Sequence, residues 1–364
     1  ESISIVGGGI GGLSTACYLA DAGADVTVLE QHDTLGGVAG TAEIEGFRFD
    51  TGPSWYLMPE VFERFFDHFG RSVDDAYTLE RLDPSYRIFW KDGDRMDVPA
   101  DPEALASKLE AYEAGAADAF RRYLDHAEEV YDLAMERFIY PGRSSLRDWL
   151  SLDVLRSVRA LPLLRSMDAH VQSYVQHPKL RQLLEYKLVF LGGSPYNTPA
   201  LYTLMSHVDF NQGVYHPHGG MQALVDALAE LAEDLGATLE TDAPVEGLDA
   251  RGTGVQVHAN GHTHRADRVV ANAAPAHVER TLLPPAQRDH DDAYWDGRTY
   301  GPSAYLLYLG VEGPVDPLLH HSLVLPPDWD PHFEAVFDTP GWPTDPAYYL
   351  HVPSQTDPTF APDG

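Results

Sequence analysis

The chain has 364 residues, of which 44% are hydrophobic and 22% charged, so it can bury a core large enough for two domains or one large domain. Its 56 acidic residues outnumber 25 basic ones and give a formal charge of -31, which argues against nucleic acid as a partner and is typical of proteins from salt-rich cytoplasm. The single cysteine, Cys17, excludes an internal disulfide, and no run of about 18 apolar residues could span a bilayer, so we expect a cytoplasmic protein.

The first thirty residues predict a strand, a helix and a second strand. Residues 2–6 (SISIV) are a short β-branched run, and 25–29 (DVTVL) are another. Between them, small and apolar residues recur at helical spacing over 11–22. This order is the β-α-β unit with which nucleotide-binding folds begin.

A glycine motif lies where the first predicted strand meets the helix. Gly7, Gly9 and Gly12 form G-x-G-x-x-G, in which the first glycine permits a tight turn, the second lets the backbone approach a pyrophosphate and the third allows close packing. Glu30 ends the second strand, where a carboxylate accepts from both ribose hydroxyls and repels a 2′-phosphate. The motif therefore predicts a dinucleotide other than NADP.

A second glycine pair, Gly36-Gly37 in HDTLGGVAGT, follows about six residues after Glu30. FAD-binding proteins of the glutathione-reductase type carry such a pair, whereas NAD dehydrogenases usually do not. We therefore predict FAD as the cofactor. A plain turn is the alternative explanation for this pair taken alone.

The rest of the chain predicts a hairpin, a largely helical stretch and then a second β-rich phase. The hairpin is expected at 42–50, a helix at about 59–69, and helical patterns dominate 101–190. A helix at 221–235 opens the second phase, and a strand is expected at 304–311. Further strands are expected near 238–241, 244–250, 253–258 and 266–271.

Several later segments share motifs with one known family. They are GFRFDTGPSWYLMPEVF (46–62), YKLVFLGGSPYNTPALYTLMSHVD (186–209), the P-x-G-G helix with its returning strands (213–248), VVANA (269–273), His320-His321 and YYLHVPSQTDPTFAP (348–362). In these segments the chain resembles the phytoene desaturase family of carotenoid-processing flavoenzymes. The resemblance covers essentially the whole chain, although its first motifs also occur in many other flavin oxidoreductases, amine oxidases included.

The resemblance implies an α/β fold, in which a Rossmann-like FAD/NAD(P)-binding domain carries an inserted α+β substrate domain with a helical, membrane-facing part. We assign residues 1–57 and 213–275 to the FAD-binding domain. Residues 58–212 and 276–364 would form the substrate-binding domain, with the helical insertion at about 101–190. The family's C-terminal Gly-rich segment would lie beyond residue 364, so we expect a C-terminally truncated, haloarchaeal member.

The resemblance also implies which residues contact the cofactor. Carried over by position, these are Gly7, Gly9, Gly12, Glu30, Gly36, Gly37, Pro53, Ser54 and Val245, the last holding the adenine through its main chain. The chain departs from the family at two positions. Val38 stands where the family usually has an arginine at the cofactor's phosphates, and His218 replaces the arginine of its Pro-Arg-Gly-Gly stretch. Both departures predict an altered cofactor affinity.

Desaturation removes hydrogens from two adjacent saturated carbons of a hydrocarbon, so that a hydride goes to the flavin and a proton to a base or to water. In SLRDWL (145–150) the chain resembles family members that carry an Arg-Asp pair in the helical domain. Asp148 is therefore the candidate catalytic acid-base group, with Arg147 beside it. An exposed ion pair at a helix start is the alternative.

Histidines at 216, 218, 320 and 321 raise the question of a metal site. Neither H-x-x-x-H spacing nor a cysteine-histidine pattern accompanies them, and one cysteine is too few for a thiolate site. The sequence therefore predicts no metal.

One stretch of this acidic chain carries a net positive charge. Residues 143–187 hold eight basic residues against four acidic ones, and within them LDVLRSVRALPLLRSM (152–167) interleaves arginine with leucine and valine. We expect this stretch to lie on an anionic lipid surface and to give a hydrocarbon substrate its route out of the bilayer. An amphipathic helix packed on the core is the alternative.

These observations predict an FAD-dependent oxidoreductase acting on CH-CH groups, a phytoene desaturase-like enzyme of carotenoid biosynthesis that acts on a C40 polyene at the membrane surface. Carotenoid 3,4-desaturases and related isomerases or saturases share the motifs. An amine-oxidase-type flavoenzyme and a non-catalytic nucleotide-binding fragment are further alternatives. The electron acceptor stays open between a quinone and oxygen.

Overall fold

The computed structural model describes residues 1–142 and 165–362. The described strands are β1 (Ser2–Val6), β2 (Asp25–Leu29), β3 (Thr41–Ile44), β4 (Phe47–Asp50), β5 (Leu79–Arg81), β6 (Tyr86–Trp90), β7 (Arg95–Val98), β8 (Tyr215–Pro217), β9 (Thr238–Glu240), β10 (Val245–Arg251), β11 (Gly254–Ala259), β12 (His262–Ala266), β13 (Arg268–Ala271), β14 (His321–Leu325) and β15 (Tyr348–His351). The α-helices are Ile10–Asp21, Pro59–His68, Val73–Ala76, Pro102–Leu109, Ala116–Ala134, Met167–Val171, Pro178–Glu185, Leu204–Ser206, Met221–Asp234, Pro275–His277, Asp292–Asp296 and Asp330–Phe333.

A parallel sheet in the order β13-β1-β2-β9 joins the start of the chain to residues 238–271. Ile5 and Val28 in its central strands are fully buried. The helices Ile10–Asp21 and Met221–Asp234 pack against each other and bury Leu13 and Leu224 in the same core. Parallel strands with covering helices are the arrangement that Rossmann-like folds use, and the antiparallel ribbon β10-β11-β12 extends it.

A second sheet, in the order β15-β14-β6-β7, forms the floor of a separate core. Strand β14 runs parallel to β6, although more than two hundred residues separate them in the chain. Tyr86, Ile88 and Trp90 alternate inward along β6, and the long helix Ala116–Ala134 buries Phe120 and Tyr123 in the same cluster. This core therefore combines the middle of the chain with its C-terminal part.

Local sequence explains where the helices begin. Asp101 caps the helix Pro102–Leu109 by accepting from the amide of Glu103, and Pro102 occupies the first helical position, where no amide hydrogen is needed. Gly115 has φ 85° and turns the chain into Ala116–Ala134. Among the described residues, none of the helices is long and apolar enough to cross a membrane.

The structure contains the predicted β-α-β unit, the hairpin β3-β4 and the helices near 59–69 and 221–235. The strand predicted at 304–311 is wrong. These residues have no strand conformation, and Tyr305, Leu307 and Leu309 are 75%, 66% and 62% exposed. The segment lies beside β4, where Tyr308 contacts Phe49, but it makes no ladder of hydrogen bonds there, and an unpaired strand leaves its backbone groups unsatisfied.

The strand predicted at 266–271 corresponds to β13, which pairs with β1. Sequence patterns missed the strands β5, β6, β7, β12, β14 and β15. The α/β fold class is confirmed, and the division into two discontinuous domains stays a prediction.

Candidate functional site

The glycine turn after β1 leaves no room for side chains. Gly7 has φ 102°, and a Cβ on it would lie 2.6 Å from the carbonyl oxygen of Asn272. A Cβ on Gly12 would lie only 2.0 Å from the carbonyl oxygen of Gly7. The helix then begins at Ile10 without a side-chain cap on Gly9, so its first amide hydrogens are free to bind an anion.

The second glycine pair completes this surface. The amide of Gly36 donates to the carbonyl oxygen of Gly8 at 2.9 Å, and Gly9 and Gly36 form a parallel bridge. Gly36 and Gly37 have φ 113° and 59°, which favour glycine. Two segments about 28 residues apart thus form one bare backbone surface at a helix N-terminus, which fits a dinucleotide pyrophosphate.

Glu30 lies beside this turn with its carboxylate held in place. Its side chain is buried, and it accepts from the amide of Gly8 at 2.7 Å and from the amide of His32 at 3.0 Å. The carbonyl oxygen of Glu30 accepts from Ala243 at 2.7 Å, so Val245, two residues further on, starts β10 close to this acid. The structure thus brings the predicted ribose acid and the predicted adenine contact to one side of the glycine turn.

The Pro53-Ser54 stretch is attached to the second sheet. The Ser54 hydroxyl and the Tyr349 hydroxyl are 2.9 Å apart, and the Tyr349 hydroxyl is 2.7 Å from Nδ1 of His321. Trp55 stacks on the ring of His321 at 4.3 Å between centroids with planes 9° apart. The predicted cofactor contacts are therefore attached to both sheets. Glu30 follows β2 in the parallel sheet, and Ser54 contacts Tyr349 in β15 of the second sheet.

Both departures from the family pattern lie outside the buried site. Val38 is 82% exposed, and Nε2 of His218 pairs with Glu80 at 3.0 Å on the surface. Asn272 is a residue that the sequence analysis missed, although it lies in the VVANA segment. Its carbonyl oxygen faces Gly7 and its side chain faces Gly11, so it packs against the glycine turn directly after the end of β13.

Four histidines meet between the two cores. The antiparallel pairing of β14 and β15 places His321 opposite His351, and the rings of His320 and His216 lie 4.5 Å apart. Burial lowers the pKa of His320 to about 2, that of His351 to about 3 and that of His321 well below its usual value. These three imidazoles are therefore neutral. The sequence argument against a metal depended on spacing along the chain, which does not detect a pairing across strands.

A buried ion pair lies under Trp55. Nζ of Lys187 is 3.0 Å from Oδ2 of Asp209, which also accepts from the hydroxyls of Tyr86 at 2.9 Å and Tyr186 at 3.2 Å. Both charged side chains are about 95% buried. Burial lowers the pKa of Lys187, and the carboxylate of Asp209 opposes that change.

Glu185 is a buried acid without a hydrogen-bond partner for either carboxylate oxygen in the described structure. Burial raises its pKa from 4.5 to about 8. Between these pH values an unfolded chain has released the proton that the folded chain retains. The folded state therefore loses up to about 1.4 kcal/mol per pH unit as the pH rises through this window.

We expect Glu185→Gln to stabilise the protein increasingly as the pH rises, by a few kcal/mol relative to wild type at pH 8 compared with pH 5, because glutamine has no proton to release. The measurement is the free energy of unfolding in urea at both pH values. Glu233→Gln, at an exposed helix position, is the control and should leave the pH dependence unchanged. A difference between Glu185→Gln and wild type that stays constant with pH would contradict a neutral buried carboxyl.

Asp148 and Arg147, the predicted catalytic pair, lie outside the described residues, as do residues 143–164 of the basic stretch 143–187. The structure describes four basic residues of this stretch, and three of them form ion pairs with other residues of the protein. Lys179 binds Asp92 at 2.7 Å and Asp94 at 2.8 Å, Arg181 pairs with Asp168, and Lys187 is buried. A lipid-binding role for this stretch therefore rests on residues 143–165.

The glycine turn, the second glycine pair and the buried ribose acid together define a flavin-dependent oxidoreductase. The chain belongs to the family of flavin containing amine oxidoreductases, whose family model matches residues 10–357. The predictions of FAD as cofactor and of a flavin oxidoreductase are thus confirmed.

Relatives within this family process carotenoids. A carotenoid 3,4-desaturase of Haloarcula japonica is 59% identical to the chain over 366 residues, which cover 100% of the chain and 74% of the relative. A zeta-carotene-forming phytoene desaturase of Myxococcus xanthus is 33% identical over 365 residues, covering 100% and 70%. A crystal structure of an oxidoreductase from Methanosarcina mazei matches with a TM-score of 0.58 at 18% identity, covering 100% and 76%, and supports the fold. The resemblance to carotenoid desaturases is thereby confirmed.

Proposed function

We propose that the protein is an FAD-dependent carotenoid desaturase that introduces a 3,4 double bond into a carotenoid end. The observation that carries this proposal is the 59% identity to the Haloarcula 3,4-desaturase over the whole chain, compared with 33% to the Myxococcus phytoene desaturase. The large negative charge of the chain is typical of a protein from a salt-rich cytoplasm and fits a haloarchaeal desaturase. Phytoene desaturation is the second candidate, because its relative also matches the whole chain.

The proposed cofactor site follows from the contacts of the glycine turn. Amides at the start of the helix Ile10–Asp21, with the backbone of Gly36 and Gly37, would hold the pyrophosphate, and the carboxylate of Glu30 would accept from the ribose. The main chain of Val245 would hold the adenine, and Pro53 and Ser54 are the further proposed contacts. FAD supplies the acceptor for the hydride that leaves one of the two reacting carbons.

The second hydrogen leaves as a proton. Asp148 is proposed to accept it, with Arg147 beside it in the sequence. Because the hydrocarbon offers no polar group, binding depends on apolar area, at about 25 cal/mol per Å² removed from water. The electron acceptor is proposed to be a quinone or oxygen, and omission of oxygen with and without added quinone separates the two.

Incubation of the flavin-loaded protein with liposomes that contain either phytoene or an already conjugated acyclic C40 carotenoid tests the activity. We expect the conjugated carotenoid to lose two hydrogens per end, with a shift of its absorption to longer wavelength, as measured by chromatography and mass. Conversion of phytoene alone would instead assign the second candidate. Oxidation of soluble amines without conversion of either carotenoid would assign the amine-oxidase alternative, and purified protein without a flavin spectrum would indicate a non-catalytic nucleotide-binding module.

We also propose that the protein binds the surface of anionic membranes through residues 143–165 and the neighbouring turn. The amide of Ala200 donates to the carbonyl oxygen of Arg165 at 2.8 Å, so the end of this segment lies beside a turn with exposed apolar side chains. These are Val189, Leu191, Tyr196 and Tyr202, which are 36% to 43% exposed. Exposed apolar side chains next to arginines are typical of interfacial binding.

The triple variant Arg156→Glu, Arg159→Glu, Arg165→Glu is expected to lose at least about 100-fold in binding to anionic liposomes. Three basic residues near the surface contribute about 1 kcal/mol each, and about 1.4 kcal/mol corresponds to a factor of ten. Flotation of liposomes with bound protein measures the effect. A matched variant with Arg71, Arg265 and Arg268 changed to glutamate carries the same charge change and should float like wild type. Equal flotation of the two variants would contradict the proposal.

A further inference from the structure

Three buried histidines, His216, His320 and His321, and the partly buried His351 have no assigned role. His321 opens β14 directly after His320, His351 ends β15, and the pairing of the two strands brings these three rings together. One nitrogen of each of these three rings lies within 4.8 Å of the corresponding nitrogen of the other two. His321 is completely buried, and His320 is 4% exposed.

Hydrogen bonds hold two of the three rings through their Nδ1 atoms. Nδ1 of His320 is bound to the Thr356 hydroxyl at 2.8 Å, and Nδ1 of His321 to the Tyr349 hydroxyl at 2.7 Å. The Nε2 atoms of His320 and His351 are hydrogen-bonded to each other, so a metal ion there would take the place of the proton that they share. Nε2 of His321 has no hydrogen-bond partner in the described structure although it is buried, which is costly for a polar group in a protein interior.

The distances match a tetrahedral metal. At the bond length of about 2.0–2.1 Å for zinc and imidazole nitrogen, two ligands in a tetrahedral site lie about 3.3–3.4 Å apart. Nε2 of His320 and Nε2 of His351 are 3.2 Å apart. The ligand nitrogen of His321 lies within 4.8 Å of those of the other two, so its ring must move closer for all three to bind one ion.

We propose that His320, His321 and His351 bind one divalent transition-metal ion, Zn²⁺ being the preferred one, through their Nε2 atoms. Imidazole nitrogens without thiolates suit Zn²⁺ and its neighbours rather than Mg²⁺ or Ca²⁺. Thr356 and Tyr349 hold two of the rings from the far nitrogen, as outer hydrogen-bond partners do in zinc sites. The ion fastens β14 to β15 and carries no step of the reaction.

The test uses the full chain without a histidine tag, freed of metal by a chelator. Zn²⁺ is titrated in competition with a chromophoric zinc indicator, and bound metal is counted by elemental analysis. We expect one Zn²⁺ per chain and a higher melting temperature of wild type in its presence, because the ion binds the folded state only. Co²⁺ at the same site is expected to show the intense visible bands of tetrahedral coordination.

His351→Gln is expected to lower the Zn²⁺ affinity at least 100-fold and to abolish the shift in melting temperature. Tyr349→Phe removes the hydroxyl that holds His321 and that also contacts Ser54. It is expected to lower the Zn²⁺ affinity about 10-fold, so it tests the site even if His351→Gln fails to fold. His218→Gln, which changes a partly exposed histidine bound to Glu80, is the control and should bind Zn²⁺ like wild type. Less than half an equivalent of Zn²⁺ on wild type, or equal affinities of the 349, 351 and 218 variants, would overturn the proposal and leave a neutral histidine cluster.

Discussion

Gly12→Ala is expected to abolish flavin binding and to destabilise the protein by about 3 kcal/mol, the upper part of the range for an overpacked position. The added methyl carbon would lie 2.0 Å from the carbonyl oxygen of Gly7 and 3.1 Å from the side-chain Nδ2 of Asn272. The first neighbour is backbone within the glycine turn, so it cannot rotate away. The helix Ile10–Asp21 must move off β1, and the amides that face the pyrophosphate move with it.

The flavin content of the purified protein, from its visible absorbance, and the free energy of unfolding in urea measure the two effects. Gly301→Ala is the matched control, since its added Cβ would meet nothing within 4 Å and its φ lies outside the left-handed region. Flavin content equal to wild type in Gly12→Ala would show that the close approach of helix and strand is not needed for cofactor binding.

Asp209→Asn is expected to destabilise the protein by about 3–5 kcal/mol, because it leaves the ammonium of Lys187 buried without a countercharge. The replacement keeps the shape of the side chain. Lys187→Met should cost less, since the hydroxyls of Tyr86 and Tyr186 still donate to the carboxylate of Asp209. The double variant should recover much of the lost stability, because neither charge then remains buried.

A double-mutant cycle on the free energy of unfolding isolates the coupling between the two charges. Asp234→Asn, which breaks the half-exposed pair with Arg71 at 2.7 Å, is the comparison and should cost less than about 1 kcal/mol. Additive effects of the Asp209 and Lys187 variants would mean that the two groups are stabilised separately by their other neighbours, such as Phe210 under the ammonium at 4.0 Å.

The cofactor site could be predicted well because its parts are local. Gly7, Gly9 and Gly12 act within one strand-turn-helix unit, where spacing along the chain is also spacing in the structure. Glu30 follows at the end of the next strand, which pairs directly with the first. The positive φ angles of Gly36 and Gly37 are likewise predictable from the sequence, because glycine adopts such angles more readily than other residues.

Patterns along the chain failed where a strand depends on a distant partner. Strand β14 pairs with β6 and with β15. Its short apolar run does not by itself distinguish a strand from a loop, because the strand forms only beside those two partners. The run 304–311 shows the opposite error, since its apolar residues suggest a strand, yet no ladder is formed beside it in the described structure. Hydrophobic periodicity describes what a segment can bury, whereas pairing is decided by what lies next to it.

The sequence by itself determined the class of the protein and its cofactor, because glycine spacing, a strand-end acid and family segments act locally or have a direct counterpart in relatives. Only the tertiary structure decided that Ser54, Tyr349 and His321 form one chain of contacts. It also decided that Asp209 neutralises Lys187 and that His320, His321 and His351 share one point. Apart from the neighbours His320 and His321, these groups come from separate segments of the chain. The burial that makes them strong partners arises only when those segments pack together.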